Sequence, residues 1–158
     1  MRFRTSGAFC IVLGLAMVGA TSSDDRDNAV FEAALGGVAH ELITDDVRAT
    51  GAVACLQIDP GGAPQSVSKE FLRRLKNVPF LRRGAECEAR PNRGVELATG
   101  APALILTAGP IEWITGDEAH VRMTYRWSKR DFGNRIYRVV REPSGWVLLG
   151  QVIKMSPA

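Results

Sequence analysis

Residues 101–154 read APALILTAGPIEWITGDEAHVRMTYRWSKRDFGNRIYRVVREPSGWVLLGQVIK, and this stretch decides the fold. Apolar and polar residues alternate along Pro102 to Ala108, Ile111 to Ile114, Glu118 to Trp127, Arg135 to Arg141 and Trp146 to Lys154, the period of strands with one buried face. The breaks between them are turn chemistry: Gly109-Pro110, Thr115-Gly116-Asp117, Arg130-Asp131-Phe132-Gly133-Asn134 and Pro143-Ser144-Gly145. Consecutive strands joined this tightly predict an antiparallel meander. On the strand from Glu118 to Trp127, alternation puts Val121, Met123, Tyr125 and Trp127 on one face and His120, Arg122, Thr124 and Arg126 on the other. The apolar face is expected to turn inward.

Upstream of this stretch the period lengthens. Phe31, Leu35, Val38 and Leu42 form one stripe at helical spacing, which predicts a helix from about Ala29 to Ile43 packed on a core by one face. Residues 21–28 read as a polar leader in which Asp27 or Asn28 can cap that helix. Gly36-Gly37 in its middle costs on the order of 1 kcal/mol per glycine relative to alanine, so the pair marks a close approach of another backbone or a bend. Gly51 to Ile58 reads as a strand carrying Cys55, followed by a loop, Asp59-Pro60-Gly61-Gly62-Ala63-Pro64. A second helix begins at Ser66 or Ser68, with Val67, Phe71, Leu72, Leu75 and Val78 on one side and Lys69, Arg73 and Lys76 on the other; Pro79 stops it. Gly84 to Glu88 is expected to be a short strand holding Cys87. Helices first and sheet afterward is an α+β order: an N-terminal helix and a second short helix packed on one face of a curved antiparallel β-meander.

The 158 residues, 46% of them hydrophobic and 23% charged, suit one globular domain. Arg2 and Arg4, the apolar run Ala8 to Val18, and Val18-Gly19-Ala20 predict a signal peptide over residues 1–20, cleaved near Ala20. The chain is therefore expected to be exported, periplasmic or extracellular, with its domain over residues 29–156. The apolar run falls short of the ~20 residues that span a bilayer, and no later segment is long and apolar enough to do so. Cys10 leaves with the signal peptide, and Cys55 and Cys87 then most simply form one structural disulfide. A redox-active pair usually sits two residues apart, unlike these.

The order of a first helix, a second short helix and a C-terminal meander resembles the cystatin-like α+β roll of the nuclear-transport-factor-2-like superfamily. In detail, Gly84-Ala85-Glu86-Cys87, the stretch Ala103 to Trp113 and the stretch Tyr137 to Trp146 resemble a group of small exported bacterial proteins of unassigned function. The similarity covers most of residues 30–154 and rests on strand and turn patterns; Met123-Thr124-Tyr125-Arg126-Trp127 departs from it, standing where that group has a glycine-tyrosine run. The resemblance implies a fold and supplies no activity. Enzymes of the superfamily work inside the cone between helix and sheet with carboxylate, histidine and tyrosine groups, so Tyr125 and Tyr137 are the candidate pocket residues. His120 falls on the outer face of its strand and His40 opposite the apolar stripe of its helix, which leaves neither as a general acid or base.

No zinc-binding His-Glu-x-x-His or Cys-x-x-Cys, nucleophile elbow, phosphate-cradling loop or dinucleotide fingerprint is present, so no catalytic residue, metal or cofactor is assigned. Asp45-Asp46 and Asp117-Glu118 read as solvated acids at a helix end and in a turn. What stands out is positive charge: Arg122, Arg126, Lys129, Arg130, Arg135, Arg138 and Arg141 fall on one hairpin, opposed in it by Asp131. Such a hairpin is either a solvated face or a site for an anionic surface or an envelope protein. Nucleic acid fits less well, because removing residues 1–20 lowers the formal charge of +3 by two arginines. Three classes are open: a non-catalytic binding module, a small-molecule pocket protein with isomerase-like or hydrolase-like activity, and an enzyme inhibitor or immunity-type protein.

Overall fold

The computed structural model describes residues 23–75 and 78–152; the expected signal peptide, Lys76 and Lys154 lie outside them. Among the described residues three α-helices, α1 (Ser23–Leu42), α2 (Asp45–Ala49) and α3 (Lys69–Arg74), and a single 3-10 turn at Gly84–Glu86, where a strand is expected, accompany nine strands: β1 (Val53–Ile58), β2 (Gln65–Ser66), β3 (Leu81–Arg83), β4 (Cys87–Ala89), β5 (Gly94–Glu96), β6 (Pro102–Trp113), β7 (Glu118–Arg126), β8 (Phe132–Glu142) and β9 (Gly145–Gln151). All nine join one sheet in the order β2-β1-β6-β7-β8-β9, with β3 beside β1 and the β4–β5 hairpin attached to β6. The architecture is α+β, and β6 to β9 form the expected antiparallel meander.

The sheet as a whole is mixed, because β1 runs parallel to both β6 and β3. A parallel pair needs a long crossover, and the segment between Ile58 and Pro102, with α3 inside it, supplies one. The Gly109-Pro110 break is a bulge inside one long strand, since pairing with β7 resumes at Ile111 after a register shift. A side chain at Gly109 would meet the Arg122 carbonyl at 3.1 Å, so glycine lets the bulged strand stay close to β7. β8 also starts earlier than its polar sequence suggests. Arg126 pairs with Phe132 and Thr124 with Asn134, which leaves 127–131 as the turn.

α1 starts at Ser23, so the polar residues up to Asn28 are its first turns and Asp27 and Asn28 lie inside the helix. Arg26 ties these turns to the sheet, donating to the carbonyls of Thr115 and Gly116. Along α1 the buried residues are Val30, Phe31, Ala34, Leu35, Gly36, Val38 and Ala39, which take in Phe31, Leu35 and Val38 of the predicted stripe, while Leu42 is half-buried. At Gly37 the close approach is by a side chain rather than by a backbone: a β-carbon there would lie 2.5 Å from Cδ2 and 3.0 Å from Cβ of Leu148 on β9. The second helix is shorter than its apolar pattern. Ser68 caps it, accepting from the Phe71 N–H at 3.0 Å, while Val67 is buried ahead of it and Leu75 ends it.

One core fills the space between α1 and the inner face of the sheet. Leu35, Val38, Leu56, Leu104, Leu106, Val121, Met123, Tyr137 and Val139 are fully buried there, each contributing roughly 1.5–3 kcal/mol by leaving water. The Cys55–Cys87 disulfide lies on the opposite face, over a small cluster of Val53, Cys55 and Ala103. None of the described helices is long and apolar enough to cross a membrane.

Candidate functional site

Alternation along β7 falls as expected, with Ala119, Val121 and Met123 buried and His120 and Arg122 outside. The register then assigns β8. Val121 faces Tyr137 and Met123 faces Arg135, so Arg135 belongs to the inner face rather than to the basic outer one. Arg135 Nη1 reaches Glu41 Oε1 at 3.3 Å, the Tyr137 hydroxyl donates to the same oxygen at 3.3 Å, and the guanidinium lies 5.2 Å from the Tyr125 ring centroid. Glu41, near the C-terminus of α1, is the residue the sequence reading missed. It is exposed, on the flank of the apolar stripe, and helical spacing alone gives no sign that it meets Arg135.

These four groups form a latch between α1 and β8. Tyr137 is 1% exposed, and burial pushes its phenol above the usual range, so it stays protonated and donating. The candidate pocket residues Tyr125 and Tyr137 thus meet an inward polar partner, but packed side chains occupy the space around them.

The outer cations divide into two sets. Arg138 makes a two-pronged bond to Glu118, at 2.8 and 2.9 Å, and this holds the Glu118 carboxyl below the usual carboxylate range. His120 Nε2 stands 3.7 Å from the same carboxylate, and Arg141 lies 3.8 Å from Asp117. The other set is Arg122, Arg126, Lys129 and Arg130, which have no acid partner among the described residues.

Arg126, Lys129 and Arg130 stand at the 127–131 turn, whereas Arg122 faces Ile136 along the strand and lines a separate hollow with Glu112 and His120; the turn is well fixed. Ser128 Oγ accepts from the N–H groups of Arg130 and Asp131, while Trp127 and Ser128 donate to the Asp131 carbonyl. A second turn lies beside it: Gly94 N–H donates to the Trp127 carbonyl at 2.9 Å, and Arg90 N–H donates to the Arg93 carbonyl at 3.0 Å. Asn92 from that turn joins Ser128, Lys129 and Arg130 around a surface hollow of about 450 Å³. Arg93, exposed and without an acid partner among the described residues, adds a further cation. Nothing in the local sequence signals that the turns at 90–93 and 127–131 are neighbours; the attachment of β5 to β6 makes them so.

Elsewhere the polar groups are ordinary. His40 is exposed and stacks edge-on against Phe80 at 5.6 Å, Asp45 pairs with Arg48, and no three His, Cys, Asp or Glu side chains gather as a metal site among the described residues. No family model matches the chain, and no curated protein or solved structure matches it either.

Proposed function

We propose that this chain is an exported, non-catalytic binding module that engages an anionic partner through the turn end of its basic hairpin. One observation carries the reading. Arg138, Arg141 and Arg135 are each paired with an acid of the fold, whereas the half-buried Arg126 and the exposed Lys129 and Arg130 stand at the turn with no acid partner among the described residues. Solvated cations gain little by clustering, so a cluster held on a fixed turn has its use in an external anion. The filled core favours this reading over a small-molecule pocket. Export is supported by the apolar run Ala8 to Val18 and by the disulfide, which persists in oxidising compartments. A long helix laid over a four-strand meander is in keeping with a cystatin-like roll.

The test compares two double reversals of equal charge. R126E/R130E is expected to weaken binding to soluble inorganic polyphosphate at least about tenfold, with a steep dependence on salt. R138E/R141E changes net charge by the same amount in the paired set and should leave binding within about threefold. Equal losses in both would reduce the effect to overall charge, and unchanged binding by R126E/R130E would leave only a solvated face. R126E/R130E should keep the wild-type melting temperature within a few degrees, whereas R138E/R141E sets acids against Glu118 and Asp117 and should lower it, so binding is compared at a temperature where both remain folded.

A further inference from the structure

The same turn end carries one large apolar side chain out of place. Phe132 is 66% exposed, and it pairs directly with Arg126 across β7 and β8, so both project from the outer face. Along that row Arg126 is flanked on its other side by Ile105, next to the buried Cys55. Lys129 and Arg130 stand in the turn between Arg126 and Phe132, and Arg93 comes from the adjoining turn. The acids Asp46 and Asp131 lie together with Trp127 around a separate, shallow hollow on the α2 side of the turn.

A soluble polyanion or an acidic protein face would explain the cations alone. An exposed phenylalanine set among unpaired arginine and lysine side chains also fits a surface that has phosphate outside and hydrocarbon just beneath. We propose that the 127–131 turn, with Phe132, Arg126, Lys129, Arg130 and Arg93, docks on an anionic phospholipid bilayer, the cations meeting lipid phosphates and Phe132 entering the boundary between headgroups and acyl chains. The inference rests on the anionic-partner reading above and names its partner. The turn needs no rearrangement to dock, because Ser128 and Asp131 already fix its backbone. The acidic hollow on the α2 side sets the orientation, since that side is repelled by the same surface.

The experiment is co-sedimentation of residues 21–158 with phosphatidylcholine vesicles and with vesicles that also contain phosphatidylglycerol, beside binding to soluble polyphosphate. Wild type should bind the phosphatidylglycerol vesicles and not the phosphatidylcholine ones. F132S should lose about fivefold or more on vesicles while binding polyphosphate as wild type does, and F132L should stay within about twofold on both. Because Phe132 is exposed, F132S is expected to fold, and an unchanged far-ultraviolet spectrum and melting temperature check this. Vesicle binding by F132S equal to wild type overturns the lipid inference, as does wild-type binding to polyphosphate without binding to vesicles; in both cases the anionic-partner reading survives. Binding to neither probe removes both.

Discussion

The guanidinium of Arg26 stacks on the Trp113 ring, 3.6 Å from its centroid, and the same group donates to the carbonyls of Thr115 and Gly116 in the β6–β7 turn. Trp146 packs edge-on against Trp113 at 5.5 Å and completes the clamp. At the other end of α1, Glu41 is held by Arg135 and Tyr137. A helix whose N-terminal turns are almost wholly polar is thus tied to the sheet at both ends.

R26A should therefore destabilise the protein by about 1–2 kcal/mol, the sum of one cation–aromatic contact and the charged hydrogen bonds. Amide exchange should speed up over the first turns of α1 and leave its C-terminal half protected. R26K should recover part of the loss, since an ammonium keeps the charge without the planar fork. Unchanged exchange in R26A would mean that the first turns hold by themselves.

The two adjacent glycines of α1 should respond differently to alanine. At Gly37 the new methyl meets Leu148 at both Cδ2 and Cβ, and overpacking of about 1–3 kcal/mol outweighs the gain of about 1 kcal/mol in helix propensity. At Gly36 it meets the flexible end of Leu75 at 3.1 Å, so G36A should be close to neutral or slightly stabilising. Denaturant midpoints decide the order, and combining G37A with L148A should relieve the contact with Cδ2 but not that with Cβ, while exposing the cost of the lost leucine.

Glu96 is the buried acid of the fold, joined to Thr99 and Arg82. The Thr99 hydroxyl, with the Arg82 guanidinium beside it, holds its carboxyl below the usual carboxylate range. A pKa lowered by folding contributes stability that is present above the unfolded value of about 4.3 and lost as pH falls through the folded one. Wild type should lose stability across that acid window, and E96Q should show a shallower loss there with a lower plateau near neutrality. Parallel acid limbs for the two proteins in chemical denaturation would contradict the assignment.

Removing the disulfide in C55S/C87S should cost roughly 3–4 kcal/mol on the chain-entropy model for a loop of this size. Reductant should lower the wild-type denaturant midpoint toward that of the variant and leave the variant unmoved. A midpoint insensitive to reductant would show that the bridge does not form in solution.

Periodicity made much of the fold legible. The inner and outer faces of β7 and the apolar stripe of α1 follow from local spacing, the start of the second helix is narrowed to Ser66 or Ser68, and the disulfide follows from the count of two remaining cysteines. Arg135 was legible too, because it lies two residues before Tyr137 on the same strand and must share its face. Sequence proximity alone places it with the outer cations, and proximity along a strand says nothing about sides.

The sequence by itself determined the apolar stripe of α1, the two faces of β7 and the order of helices before meander, since these depend on periods of two and 3.6 residues and on turn chemistry within a few positions. Tertiary structure decided the parallel pairing of β1 with β6, the helical state of the polar residues ahead of Ala29, and the separation of neutralised from unpaired cations. Each of these depends on partners far apart in the chain: Arg26 and Thr115 are 89 residues apart, and Glu41 and Arg135 are 94 apart. Local pattern cannot specify such a meeting, because it is reached only when burial of the shared core outweighs the entropy of closing the loops between them.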